Sequence, residues 1–304
     1  MLEMVKSEVD KVNEYDFIGE NINEMRRRIE AAAARAGRDA KDIEVIAVSK
    51  TKPIEMVMEA LKYGINRFGE NRVQELLDKQ ARAAAYSDGI PLIADADADD
   101  GMGGLLGSNG TASAHGVSGS GVSDGLNGLN GLNGLNGLGG TGSVARPGIE
   151  WHFIGRLQTN KVKHIVGNVK LIHSLDRFEL AEEIQKYAVR KGVIVDALVQ
   201  VNISKEESKS GFFHENIKDV INKLSVMSGI RIKGLMTIAP FVDNPEKNRA
   251  CFRALNEIFI DIRGEKIDNV SMTLLSAGMS NDYEVAIEEG SNIVRIGTAV
   301  FGER

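Results

Sequence analysis

A chain of 304 residues, 42% of them apolar, can bury a sizeable core and fits one barrel domain of roughly 250 residues better than two full domains. Its 43 acidic residues outnumber 37 basic ones, which argues against a basic footprint for nucleic acid or an anionic membrane surface. Cys251 is the only cysteine; this excludes an intramolecular disulfide and any CxxC metal site, suits a reducing compartment, and leaves Cys251 as a small buried hydrophobe.

The amino terminus, MLEMVKSEVDKV, alternates charged and apolar residues and lacks the apolar core of a signal peptide. No stretch reaches the roughly 18 apolar residues of a membrane span, so a cytoplasmic protein without membrane contact is expected. Ile18, Ile22, Met25 and Ile29 then recur at helical spacing, predicting a helix from Ile18 to Ala36 that Gly37 stops. Strand-like runs follow at Ile43–Ser49, Ile65–Gly69, Trp151–Gly155, Lys170–Leu175, Val195–Ser204, Ile230–Ile238, Val270–Ser276 and Asn292–Gly297. Helical segments such as Arg177–Arg190 and Glu246–Ile262 lie between them, each long enough to cross back over a parallel sheet.

One segment differs in kind. Between about Ala83 and Pro147, Gly, Ser, Asn, Ala and Asp dominate, and from Gly125 to Gly140 the triplet Gly-Leu-Asn repeats. Proline-free triplets cannot hold a collagen helix. Asp95, Asp97, Asp99 and Asp100 before Gly101 resemble the start of a calcium loop, but the glycine comes one place late and Leu106 stands where a bidentate Glu is needed. This stretch buries too little apolar surface to offset the entropy of ordering it, and is expected to be a disordered insertion without chemistry.

Eight parallel strands that are apolar nearly throughout predict a single (β/α)8 TIM-type barrel over residues 1–304, interrupted by the insertion at about 83–147; a doubly wound open sheet is the alternative. Strand eight ends too near Arg304 for a full eighth helix, so the extra amino-terminal helix is expected to cover that gap. The insertion falls in an αβ connection, on the end of such a barrel away from its active face.

Functional groups are expected at the carboxyl ends of the strands. There Lys50 follows directly on IEVIAVS, where partial desolvation would free its amine for Schiff-base chemistry. After strand seven comes SAGMSND, whose free backbone amides suit an anion, although Ser280 and Asn281 serve equally as helix caps. Strand eight ends in Arg295, Ile296, Gly297 and Thr298, and the loops after strands seven and eight are the usual phosphate site of this architecture. Arg295 needs a partner to be buried, and a structural salt bridge is its alternative role. Asn71, in FGENRVQE, either reaches the site or caps a helix. Trp151 and His152 begin a strand and read as packing residues; His173 stays ambiguous.

Taken together, AVSKTKP, FGEN, EWHFIGRLQTNK, HSLD, VNISKEESKSG, GLMTI, SAGMSND and VRIGTAVFG resemble the pyridoxal phosphate homeostasis protein family, over essentially the whole chain outside the insertion. That family is similar to the amino-terminal barrel of alanine racemase, the fold type III group of pyridoxal phosphate enzymes. The resemblance implies pyridoxal 5'-phosphate as cofactor, joined to Lys50 as a Schiff base, with Asn71 beside it, Arg295 facing the pyridine nitrogen, and Ser276, Ser280, Gly297 and Thr298 holding the phosphate. An arginine at that nitrogen keeps it unprotonated and weakens the ring as an electron sink. The sequence departs from the family in its long insertion and in reading SAGMS where SMGMS is usual.

The implied function is homeostasis of this vitamin B6 cofactor, by buffering or delivery to apoenzymes met transiently, with effects on amino acid and keto acid balance. No catalytic residue, metal or nucleic acid is implied, and the protein is expected to be a monomer. A racemase or decarboxylase working from the barrel alone is the competing reading; two-domain relatives add catalytic residues from a second domain or a partner subunit, whereas this chain stops just after strand eight.

Overall fold

Strands apolar on both faces need cover on both sides; a parallel sheet closed on itself covers one face with its own lumen and leaves the other to helices. The computed structural model, which describes residues 14–87, 148–204 and 210–303, shows this arrangement. Its strands are β1 (Glu44–Val48), β2 (Arg67–Glu70), β3 (Glu150–Phe153), β4 (Leu171–Leu175), β5 (Val195–Asn202), a stub β6 (Phe212–Phe213), β7 (Ile230–Met236), β8 (Val270–Met279) and β9 (Ile293–Ile296). Neighbours run β4, β3, β2, β1, β9, β8, β7, β5, all parallel, and β5 pairs back to β4, so eight strands close a barrel while β6 adds to β5. The open sheet is thereby excluded.

Around the barrel lie α1 (Phe17–Arg35), α2 (Ile54–Lys62), α3 (Val73–Ser87), α4 (Val162–Ile165), α5 (Phe178–Lys191), α6 (Ile217–Ser225), α7 (Arg249–Arg263), α8 (Tyr283–Glu288) and α9 (Thr298–Phe301). The expected boundaries shift by a few residues. Pro245–Asn248 forms a separate turn before α7, and β8 runs on through Ala277 and Gly278 to Met279. Helix α3 continues to Ser87, with Ala83 buried in the core, so regular structure runs a few residues past the expected start of the insertion. Residues 88–147, with the glycine triplets and the aspartate series, lie outside the described residues. Their attachment points, the end of α3 and the start of β3, are at the amino end of the barrel. Cys251 is half-buried against the core rather than enclosed.

Helix α1 does cover the closing gap. Its stripe of Ile18, Ile22, Met25, Ile29, Ala32 and Ala33 is buried, and it packs on α8 and the single-turn α9. Asn21 donates to the Val300 carbonyl at 3.1 Å, while Arg28 and Arg35 reach Glu284 and Glu288 on α8 at 2.5 and 2.6 Å. Such half-exposed pairs contribute little each; the apolar stripe does most of the anchoring.

The lumen is layered. Ile46, Leu171, Leu198, Met236 and Ile293 form an apolar cluster apart from the main core, with Leu274 against it. Side chains alternate along a strand with a period of two, so two residues further these strands present Val48, His173, Gln200, Ile238, Ser276 and Arg295, most of them polar. The step from apolar plug to polar layer is where function begins. No helix among the described residues is long and apolar enough to cross a membrane.

Candidate functional site

At the carboxyl ends of β1, β8 and β9 a cavity of about 450 Å³ is lined by Lys50, Asn71, Asp282, Ser280, Arg295, Gly297 and Thr298, with Val48, Ile154 and Ile238 as apolar walls. It thus brings together six of the seven residues singled out in the sequence. Lys50 is half-buried there, immediately above β1. Ser276 is the exception. Its hydroxyl lies inside the lumen, accepting from the Arg295 Nη1 at 2.6 Å and sitting 3.1 Å from the His173 Nδ1, so it supports Arg295 from behind and does not line the cavity.

Ser280 does cap a helix, though not the one that follows it. Its Oγ accepts from the amides of Gly297 and Ala299 at 3.1 and 3.4 Å, pinning the β9–α9 turn, while Asn281 donates to the Val242 carbonyl. Hydroxyl and turn amides therefore meet at one edge of the cavity, a pattern suited to an anion. A Cβ built on Gly297 would meet Val48 at 3.4 Å, ordinary contact, so the chain's own packing does not demand glycine there. Gly155 is different: a Cβ on it would lie 2.2 Å from the Asn71 carbonyl oxygen, so glycine is required and its close approach fixes Asn71 at the cavity wall.

Arg295 is 5% exposed and has no carboxylate within ion-pair distance among the described residues. Its Nη2 donates to the Thr237 carbonyl at 2.9 Å, and burial pulls its pKa down to about 10, with Asp282 opposing the shift. It remains a cation at neutral pH. The structural salt bridge is thus replaced by hydrogen bonds, leaving positive charge facing the cavity.

Behind Arg295 the hydrogen bonds continue. His173 is fully buried, and its Nε2 is 3.0 Å from the Nδ1 of His152. Ser276, His173 and His152 thus form a continuous hydrogen-bonded chain behind Arg295, which ends at a His152 Nε2 that has no partner among the described residues. Burial holds His152 at about 3 and His173 well below the ordinary value, so both are neutral. Neither lines the cavity, which settles His173 as a supporting group. Trp151 packs against Phe68.

With this geometry in view, comparison identifies the lineage. The chain matches the family described as alanine racemase, N-terminal domain, over residues 21–304. A pyridoxal phosphate homeostasis protein of Aquifex aeolicus is 38% identical over 285 residues, 94% of this chain and 97% of that one. This chain belongs to the pyridoxal phosphate homeostasis proteins. Among solved structures, a protein of Bifidobacterium adolescentis described as unknown aligns with a TM-score of 0.70 at 30% identity, over 93% of this chain and 94% of that one. PipY of Synechococcus elongatus, solved with pyridoxal phosphate bound, aligns with a TM-score of 0.65 at 24% identity, over 94% of this chain and all of the other.

In this homeostasis protein the turn that carries Lys50 is held by a network that sequence reasoning missed. The Lys79 ammonium, 4% exposed, donates to the Ser49 carbonyl at 2.6 Å and to the carboxylates of Glu70 and Glu75 at 2.7 and 2.8 Å. Ser49 Oγ donates to the same Glu70 oxygen at 2.6 Å, and Glu75 accepts from the Thr51 amide. Thr51 sits at a φ of 63°, a conformation that costs a β-branched residue about 1–3 kcal/mol unless its surroundings hold it. Burial raises the Glu70 pKa despite Lys79 and Ser49 beside it. Lys52 adds a second tie, donating to the carbonyls of Phe301, Gly302 and Glu303 at 2.9–3.2 Å. A signal for Lys79 was present: it falls between Leu76 and Ala83 on the buried stripe of α3, where a solvated lysine does not belong.

Proposed function

We propose that this protein holds pyridoxal 5'-phosphate as a Schiff base on Lys50 and buffers or delivers it in the cytoplasm, as a monomer in transient contact with apoenzymes that need it. The observation that carries this reading is the convergence of the Lys50 amine, the Arg295 cation and the Ser280–Gly297–Ala299 turn on one cavity of about 450 Å³. Amine and anion site thus share one chamber. The cofactor supplies an aldehyde and an electron-withdrawing ring; the protein's residues bind, orient and shield. Ser280, Thr298 and the turn amides would hold the phosphate, Arg295 would donate to the ring nitrogen, and Asn71 and Ile154 would enclose the ring.

A racemase would make a stricter demand on the cavity. Inverting a carbon centre needs one proton acceptor and one donor on opposite faces. Among the described residues that line the cavity, Asp282 is the one acid besides the basic Lys50 and Arg295, and both its oxygens are engaged, by the Met279 amide at 2.7 Å and Asn248 at 2.8 Å. Among the described residues, no second base is poised in the cavity. The name of the Aquifex relative is that of a homeostasis protein, which favours the carrier reading.

Reconstitution with the cofactor tests the assignment: a visible absorbance band in the native chain that Lys50→Ala abolishes supports it, and a protein that stays colourless refutes it. Carrier and enzyme separate on incubating the loaded protein with each amino acid in deuterated water. Exchange at the α carbon above the rate of free cofactor favours the enzyme.

A further inference from the structure

A second concave surface on the same end of the barrel has no part in the reading above. It has a volume of about 750 Å³, against about 450 Å³ for the Lys50 cavity, and lies over the loops after β2 and β3, meeting that cavity only at Asn71. Arg72, Arg156, Lys161 and Arg177 line it, with amide groups from Gln74 and Gln158 between them. Four cations gathered in one cleft on a chain of net charge −6 are not an average sample of its surface. They are also poorly neutralised. Asp176 is the one carboxylate paired with any of them among the described residues, at 2.5 Å from Arg177 and 3.7 Å from Arg156. Arg72 and Lys161 have no ion-pair or hydrogen-bond partner for their side chains there.

Part of the cleft is preorganised. Arg177 is held in place by Asp176 and by its own donation to the Leu157 carbonyl at 2.8 Å, and the half-buried Val73 and Leu77 give the cleft an apolar wall above the buried Leu157 and Phe153. One fixed guanidinium beside three further cations, with an apolar wall and amides between, matches an anion that also carries a ring or chain to lay on that wall. The volume falls within the range of roughly 300–1,000 Å³ typical of small-molecule sites. We propose that this cleft is a second binding site, for a phosphate- or diphosphate-bearing small molecule of about nucleotide size, distinct from the Lys50 cavity and in contact with it through Asn71.

Calorimetric titration of the full chain, saturated with pyridoxal phosphate, using ADP and inorganic pyrophosphate at low salt tests this. One saturable site is expected for each probe, weakened at least about tenfold in the double variant Arg72→Ala/Lys161→Ala. Both residues are exposed and unpaired, so the variant should fold, keep its melting temperature and keep the visible band. Thr298→Val is the control for a probe that strays into the phosphate edge of the Lys50 cavity: the titration should be unchanged. Absence of saturable binding overturns the proposal, as does binding that Thr298→Val removes and Arg72→Ala/Lys161→Ala leaves intact. Silence towards both probes with binding of a poly-glutamate peptide would also overturn it, marking the cleft as a surface for an acidic protein segment. Should Lys50 prove not to bind the cofactor, the same titration on the untreated chain still decides the cleft.

Discussion

The lower and upper halves of the barrel lumen are built by the same strands with the same inward alternation, yet they do different work. Below, Ile46, Leu171, Leu198, Met236 and Ile293 close the barrel as an apolar plug. Two residues further along, those strands contribute Val48, His173, Gln200, Ile238 and Arg295, and β8 contributes Ser276, so packing gives way to a layer in which His173, Ser276 and Arg295 are hydrogen-bonded and charge is aimed upward. The lesson is that a site can be cut into a barrel by changing one layer, with the layer beneath left to hold the strands apart. Each half then fails differently: the plug through volume, the polar layer through an unpaired group.

The sharpest way to expose that contrast lies just outside the lumen, in the network under Lys50. Lys79→Met strands the Glu70 carboxylate in a buried setting and is expected to cost about 3–5 kcal/mol in urea unfolding, while also loosening the Thr51 turn. A loss under about 1 kcal/mol would mean that the network is solvated and does not hold the turn. In the plug, Leu198→Ala is expected to cost about 3 kcal/mol and leave the visible band of the reconstituted protein unchanged. Ser276→Ala should do the reverse, costing about 1–2 kcal/mol but shifting the band, because Arg295 loses a partner. Equal spectral effects from the two would erase the distinction between layers.

Acid should attack the polar layer and the histidine behind it. His152 and His173 are held below their ordinary value of 6.5, so below that pH the unfolded chain takes up protons that the folded one refuses. Their contribution is complete above about pH 6.5 and declines as the pH falls, by about 2 kcal/mol per histidine at pH 5. Unfolding curves between pH 7.5 and pH 5, at values set by the experiment (roughly half-unit steps suffice to resolve this slope), should show that decline, and His152→Leu/His173→Leu should flatten it. The smallest effect on stability is expected for Gly297→Ala, under about 1 kcal/mol because its Cβ meets only ordinary contact, with cofactor affinity nonetheless reduced about tenfold. Unchanged affinity would move the phosphate away from that turn.

Much of this was legible in the chain. Unbroken apolar runs such as IEVIAV separated by helical spacings gave the barrel, and the placement of Lys50 and Arg295 at strand ends gave the cavity. What stayed hidden depended on depth and direction. Ser276 and Ser280 both looked like phosphate ligands, but β8 runs on to Met279, which leaves Ser276 in the lumen and lifts Ser280 to the rim. The Glu75–Lys79 pair has the spacing of an ordinary solvated helix pair, and only the fold shows that Lys79 is buried against Ser49. Composition set the insertion's edge near Ala83 because ARAAAYS is poor in large apolar residues, yet the same residues are good for a helix, and α3 carries on through them.

The central claim is that the amine of Lys50 makes the covalent bond. Borohydride reduction of the reconstituted protein followed by peptide mass mapping tests it directly. The account predicts a reduced pyridoxyl adduct on the peptide that contains Lys50, and its loss in Lys50→Ala; an adduct confined to any other lysine, or none at all, would contradict it.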